Sequence, residues 1–589
     1  NALAGAIYLR TKDPEFARSG RLQLTYGENN KIQTGVAYGD KITDNLAFRV
    51  SGEWSQKDSD LNYPSYAQYP QYGDFSEDRY YTIRGKLLWL PTHSEDTKVQ
   101  FSYSHSFDSP ASNTIAGPNR LPGSGVTYGD RRGDIWGSLT PAQDFLGFTP
   151  IPLFQDVRET KVDNAGLEIT HNFSENLTLT AFTSYSDSRT DRKSINYGNN
   201  APIFNPFPFP NSNAWYNVGS FDQRIASQEV RLNYDTDGLR WVGGLYIADE
   251  KNKGNREQFA PNLGTLALET ITTDFDTDIS NYALFGEVTY EFAPSWSIIA
   301  GGRIDYYKQT QDARSTTRDF ATGALSSTGS TSSYSDTAVI PKLGLAYEFN
   351  ADNRVSLVYQ EGYRPGGSGV QLSSGNQFEY DAEDAKNFEL TYRGNLMGGR
   401  LSVGASLFYQ DWDNQQVEVW ETPGRPDTSQ IINAGKSESY GGELDIAYEA
   451  SDKLDLYASV GLLKTKFKDF SLSTSAGSQN FDGQPFSNAP EQNVIIGFRW
   501  GESLGWFTGA NVQYTGSSLS RIEAGSQRAE LGSYTTVDAQ VGYAWDTVTL
   551  TAYATNLFDE DYFTYKAAGN TEAAIGARRE IGIRLTKTF

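Results

Sequence analysis

Apolar and polar positions alternate with a period of two along most of the chain. Leu454, Leu456, Ala458, Val460 and Leu462 share one face, and Asp455, Tyr457, Ser459 and Gly461 the other. The same pattern sets Val548, Leu550, Ala552 and Ala554 against Thr549, Thr551, Tyr553 and Thr555. Trp296, Ile298, Ala300, Gly302, Ile304 and Tyr306 form another such set, and Ile581, Ile583, Leu585 and Phe589 close the chain. A strand turns successive side chains to opposite sides, so each segment predicts a strand with one apolar and one polar face. Helical spacing fits none of them.

The connections alternate as well. Short ones carry Asn, Asp, Gly and Pro, which supply tight or left-handed backbone: 39–45, 92–97, 173–176, 235–238, 293–295, 350–353, 396–399, 451–453, 501–505 and 545–547. Between them lie longer polar stretches: 57–79, 108–161, 190–222, 252–279, 311–336, 364–384, 468–489, 518–532 and 558–576. Short turns on one side and long loops on the other are the signature of an up-and-down transmembrane barrel. Ten short turns and eleven outer connections, counting a tight first one at 28–30, predict 22 antiparallel strands. That allots about 27 residues to each strand with its connection, ample for a tilted spanning strand of about 9–11. The competing soluble architectures are a propeller or tandem sandwiches. A propeller requires a recurring motif every ~40–50 residues, which the chain lacks, and a sandwich gives no reason for loops to be long on one side only.

Composition bears on which of these holds. Of 589 residues, 38% are hydrophobic and 13% aromatic, with 56 Gly and a formal net charge of -23. No apolar run approaches the ~18 residues of a spanning helix. A barrel strand shows only alternate side chains to lipid, so a mean hydropathy of -0.54 is compatible with a membrane. The absence of Cys excludes disulfides, thiolate metal sites and cysteine nucleophiles. The acidic balance argues against a nucleic-acid partner. The chain opens on Asn1, which reads as a leader removed or as the interior of a longer product.

Both ends carry a resemblance. Asn1-Ala-Leu-Ala-Gly-Ala-Ile-Tyr-Leu-Arg-Thr-Lys-Asp-Pro14 resembles the closing segment of the plug domain of TonB-dependent outer-membrane receptors, and Asn556-Leu-Phe-Asp-Glu-Asp-Tyr562 with Arg578–Phe589 resembles their last hairpin. Between them, Glu361-Gly-Tyr-Arg-Pro-Gly-Gly367, the run from Asn387 to Tyr409, Asn433-Ala-Gly435 and Gly441-Gly-Glu443 stand in the family's order. The resemblance covers essentially the whole chain. It implies an all-β, 22-stranded barrel over 15–589 in the bacterial outer membrane, surrounded by lipid and lipopolysaccharide, with 1–14 as the end of a plug. It also implies import of a scarce small-molecule nutrient, a ferric siderophore foremost, driven by TonB with ExbB–ExbD. The family's plug and TonB box precede the barrel. A plug outside this chain, a plug on a separate chain, and an unplugged variant are the three explanations, the first being expected. The other function class is a passive porin-like channel, or a barrel serving other envelope proteins in a larger assembly.

Little in the chain points to catalysis, and no enzyme activity, cofactor or resident metal is expected. The three histidines are His93 in a short turn, His105 on a strand near the outer side, and His171 beside a short turn. A serine nucleophile needs a base in hydrogen-bond contact, and no Gly-x-Ser-x-Gly elbow sits between a strand and a helix, nor does His-Glu-x-x-His occur. Asp274-Phe-Asp276-Thr-Asp278 reads as an acidic outer loop without the closing residues of a calcium loop, and Asp559-Glu560-Asp561 reads as structural. Substrate-contact candidates are Phe204, Phe207, Phe209, Trp215 and Tyr216 in a Pro-stiffened aromatic loop, and Trp136, with Tyr128, in the longest loop. Arg364 is a further candidate, weighed against a structural role. Trp54, Trp89, Trp241, Trp296, Trp506 and Trp545 are expected in interfacial girdles. Arg84, Lys86, Arg303 and Asp305 are expected to face the lumen.

Overall fold

The computed structural model describes residues 9–62, 77–91, 96–117, 131, 157–197, 214–262, 267–319, 322–372, 374–421, 428–474, 477–570 and 572–589. The barrel strands are β1 (Ser19–Gly27), β2 (Lys31–Thr43), β3 (Leu46–Asp58), β4 (Glu77–Trp89), β5 (Thr97–Ser109), β6 (Val157–Asn172), β7 (Leu177–Tyr197), β8 (Ala214–Asp235), β9 (Leu239–Asn262), β10 (Ala267–Ala293) and β11 (Trp296–Asp319). They continue as β12 (Leu325–Asn350), β13 (Asn353–Arg364), β14 (Glu383–Leu396), β15 (Leu401–Trp420), β16 (Ser429–Ser451), β17 (Leu454–Asp469), β18 (Gln492–Gly501), β19 (Gly505–Thr515), β20 (Tyr534–Ala544), β21 (Val548–Thr555) and β22 (Glu580–Thr588). Each pairs antiparallel with its sequence neighbours. β1 and β22 then close the ring, with Arg21 to Gly27 opposite Thr588 to Gly582. Closure leaves no edge whose N–H and C=O groups would go unpaired in lipid. The expected 22 strands, ten short turns and eleven outer connections are all present.

Period two sorts the side chains. Leu284, Ile304, Leu343, Leu357, Val512 and Ile583 stand exposed on the outer surface. Aromatics bound this apolar band: Trp89, Trp296, Trp506 and Trp545 towards the short-turn rim, and Trp54, Tyr282, Tyr306 and Tyr440 towards the loop mouth. Trp241 lies near the short-turn rim on the same outer face, stacked on Tyr234 at 5.9 Å. Apolar surface with no protein cover is stable only against acyl chains. Amphipathic aromatic rings favour the headgroup levels. The first outer connection is tight because Asn29 and Asn30 adopt φ of 54° and 53°, the left-handed pair that lets two twisted strands meet in a short hairpin.

Three stretches expected as polar loops, 190–222, 252–279 and 311–336, are largely strand. β7 runs to Tyr197 and β8 begins at Ala214, β9 and β10 are separated only by 263–266, and β11 and β12 only by 320–324. Beyond the membrane both faces meet water, so hydrogen-bonded ladders continue without an apolar stripe to betray them. Asp274, Asp276 and Asp278 therefore lie on β10 and not in a loop. Cross-strand partners explain them: Lys253 Nζ is 2.7 Å from Asp276 and Lys251 Nζ 3.3 Å from Asp278.

One seam is open by design. β12 pairs with β13 only from Lys342↔Gln360 downwards. Above that, β12 stays with β11, and β13 follows β14 up to Arg364↔Glu383. Pro341 sits where the two part, so its missing N–H faces the split and not a ladder.

Candidate functional site: the loop mouth

The connection 365–382 fills that split from the lumen side. Its small hairpin, Gly367–Val370 with Gln377–Tyr380, packs on inward residues of β11. Gln309 Nε2 donates to Ser368 O at 3.1 Å, Ser368 N donates to Gln309 Oε1 at 3.3 Å, and Gln377 Nε2 donates to Gln311 O at 3.3 Å. Glycine is required where this hairpin leaves the wall. A Cβ on Gly366 would stand 2.6 Å from Tyr380 O and 2.8 Å from Ala382 N. Burial pushes the Tyr380 hydroxyl above its usual range, so it stays protonated.

Arg364 fastens the base of this connection. Its guanidinium donates to the Glu383 carboxylate and, at 3.0 Å, to Gln416 O. Gln416 N donates to the same carboxylate oxygen at 3.0 Å. Glu383 is only 3% exposed, and a carboxylate so placed needs charged and backbone donors to be tolerated. The Gln416 side chain donates to Pro365 O at 2.8 Å, and Asn433 Nδ2 to Asp381 O at 3.0 Å. The Gly-Tyr-Arg-Pro-Gly-Gly run and the Asn-Ala-Gly run thus meet as one clamp, with Tyr363 donating to Asp336 at 2.6 Å.

A cavity of about 560 Å³ opens beside the clamp on the inner side of the mouth. Phe275 and Gln311 line it from β10 and β11, Val370 and Phe378 from the filling hairpin, and Gln416, Glu418 and Ile431 from β15 and β16. Of these, the sequence pointed only to Arg364, also in the lining. Single glutamines carry no spacing signal. Phe275 could have been found, because it alternates with Asp274 and Asp276 and so faces the lumen while they face out.

The far wall of the mouth is held by loops 470–491 and 516–533. Phe467, Phe470, Phe481, Val419 and Ile522 form a buried apolar cluster there. Arg521 lies 3.9 Å from the Trp420 ring and 4.4 Å from that of Tyr565. Arg528 donates to Pro485 O at 2.6 Å and Ser520 O at 3.0 Å, and burial lowers it to about 10. In the last hairpin, Asn556 Nδ2 donates to Glu560 O and Ala577 O, each at 3.0 Å, and Arg578 bridges Asp559 and Asp561. This supports the structural reading of that acidic run.

Deeper in the lumen, Lys86 Nζ donates to Thr11 O at 2.9 Å and Asp13 Oδ1 at 2.8 Å, which pins the N-terminal segment to the inner wall. Arg303 and Asp305 also face inward, 2.6 Å apart. Arg84 shares that face by its pairing with Ser51 and Ser104.

Phe204, Phe207, Phe209, Trp136, Tyr128 and His93 lie outside the described residues. Trp215 and Tyr216 belong to the start of β8, opposite Asn196 and Ile195. His105 Nδ1 is 2.9 Å from Asp163 on the outer face, while His171 contacts Thr97 at the other rim. Ser104 and Ser106 take the opposite face of the strand from His105, so neither forms a nucleophile–base pair with it. Among the described residues, no group of three or more His, Asp or Glu is disposed to hold a metal.

A sealed antiparallel cylinder, banded for lipid and holding a loop-built chamber at one mouth, is an outer-membrane barrel of the receptor class. The chain belongs to the family described as TonB dependent receptor-like, beta-barrel, which it matches over residues 116–557. It is 22% identical to the pesticin receptor of Yersinia pestis over 62% of this chain and 53% of that protein. It is 21% identical to the ferrioxamine receptor of Yersinia enterocolitica over 91% of this chain and 69% of that protein. The crystal structure of the ferric yersiniabactin uptake receptor FyuA from Yersinia pestis superposes with a TM-score of 0.75 at 18% identity, covering 98% of this chain and 81% of that one. The siderophore receptor PiuA from Acinetobacter baumannii gives 0.71 at 16%, covering 98% and 82%. The chain spans 53% and 58% of the length of two of these curated relatives, the pesticin receptor and a probable siderophore receptor.

Proposed function

We propose that this barrel is the translocating part of a TonB-dependent receptor that captures a ferric siderophore at the loop mouth. TonB, energised through ExbB–ExbD, then acts on a plug domain to open the lumen. The observation that carries this reading is the chamber beside the Arg364–Glu383 clamp, reachable from the loop side and walled by side chains from non-adjacent strands. Relatives described as receptors for siderophores support the substrate class. Within this reading, Phe204, Phe207, Phe209, Trp215, Tyr216 and Trp136 are the proposed substrate contacts, and residues 1–14 are the proposed end of the plug.

Uptake of radiolabelled iron as its siderophore chelate tests this in cells that depend on this receptor. Collapsing the proton gradient is expected to abolish uptake. Uptake that persists without the gradient identifies a passive channel instead. Replacing Phe207 and Phe209 together with Ala is expected to weaken chelate binding about thirtyfold, at ~1 kcal/mol per lost ring contact.

A further inference from the structure

The mouth is acidic and keeps its cations to itself. The eleven outer connections hold 19 acidic and nine basic residues. All six of those basic residues that are described are engaged. Arg131 and Arg578 pair with Asp561, Arg579 reaches Glu28 at 3.6 Å, Lys566 Nζ donates to Glu530 O at 3.3 Å, Arg521 stacks between two rings, and Arg528 is buried on carbonyls. Arg364, at the chamber itself, is neutralised by Glu383, and Glu418 adds a carboxylate to the lining. Among the described lining residues, what remains to meet a ligand is chiefly the apolar surface of Phe275, Phe378 and Ile431.

We infer, resting on the siderophore reading above, that the substrate carries no net negative charge. It is a neutral or cationic ferric chelate of the hydroxamate type, not a polyanionic catecholate. Three hydroxamate monoanions neutralise ferric iron, whereas three catecholate dianions leave the complex trianionic. A trianion entering this mouth would meet an excess of carboxylates, and among the described residues of the outer connections every guanidinium is already engaged. The neutral chelate adds no negative charge to that field, and its methylene arms cover the phenyl rings.

The test uses the whole receptor extracted from outer membranes in mild detergent. It is titrated with a neutral ferric trihydroxamate and with a ferric tris-catecholate of similar size, read by quenching of tryptophan fluorescence. The trihydroxamate is expected to bind at least ~10-fold more tightly at about 0.05 M salt, with the ratio shrinking at about 0.5 M as screening shortens the range of the repulsion. Glu418→Gln is expected to narrow the ratio between the two chelates about 2–3-fold, by raising catecholate affinity relative to trihydroxamate affinity. Equal or tighter catecholate binding, or a preference indifferent to salt, overturns the charge inference alone. Binding of neither chelate overturns the siderophore reading and this inference with it.

Discussion

Removing the Arg364 guanidinium would leave Glu383 buried with only a backbone donor. Because Arg364 is itself half-exposed, Arg364→Ala is expected to cost about 2 kcal/mol, less than a fully buried pair would. Combining it with Glu383→Gln should recover about half, since no charge is then stranded. Urea midpoints of the three variants in lipid vesicles check this, and additive losses would contradict the clamp. Glu438 offers a pH readout above the upper aromatic ring. Hydrogen bonds from Lys466, at 2.7 Å, and from Lys468 lower its carboxyl from 4.5 to about 2. A folded-state value below the unfolded one contributes stability above about pH 4.5, and that contribution is lost as pH falls through about 2. The thermal midpoint of Glu438→Gln should therefore lie below wild type at neutral pH, and the gap should close near pH 2. At this scale the sequence was informative about motif and poor about partner. Arg364 stood out in its glycine run, but its partners Glu383 and Gln416 come from elsewhere in the fold and carry no mark of their own.

Strands were legible wherever lipid imposes an apolar face. Val548–Thr555 and Leu454–Asp469 follow the pattern on the page. The upper parts of β7 to β12 were not legible, because a ladder with water on both sides places no demand on side-chain polarity. Proline was the overlooked signal. Within a sealed barrel every N–H points at a neighbour, so Pro341 marks an unpaired edge. Pro261 obeys the same rule, lying above the last β8–β9 pair at Phe259↔Tyr216. Leu345, four residues below Pro341, is paired on both sides, with Ile298 and with Leu357, so its N–H, on the same side of the strand as the missing one of Pro341, has a neighbouring strand to bond. Leu345→Pro is expected to cost ~3 kcal/mol or more, whereas Pro341→Ala should change stability by less than ~1 kcal/mol. Refolding yields into vesicles, followed by resistance to room-temperature SDS, would distinguish the two. Similar losses would mean that the split between β12 and β13 is not an edge.

For the whole molecule, the count of 22 came from the rhythm of short and long connections, which records a constraint on the entire cylinder: one rim meets tight turns and the other carries the long loops. What joins these strands into a membrane protein is that one surface meets acyl chains and the other water. Neighbouring residues on β19 put this to the test. Val512 is 45% exposed on the outer face within the apolar band, and Asn511 takes the inner face opposite Asp538 and Gly497. Arginine at 512 must carry its charge into hydrocarbon or bend the bilayer towards it, at ~2–4 kcal/mol near the midplane. Arginine at 511 enters an aqueous lumen beside an aspartate, at ~0.5 kcal/mol or less. Val512→Arg should thus lower stability in vesicles by several times the effect of Asn511→Arg, and the difference should shrink in short-chain detergent, where the belt around the barrel is thin and easily wetted. Equal effects in vesicles would mean that the outer face of β19 does not meet lipid.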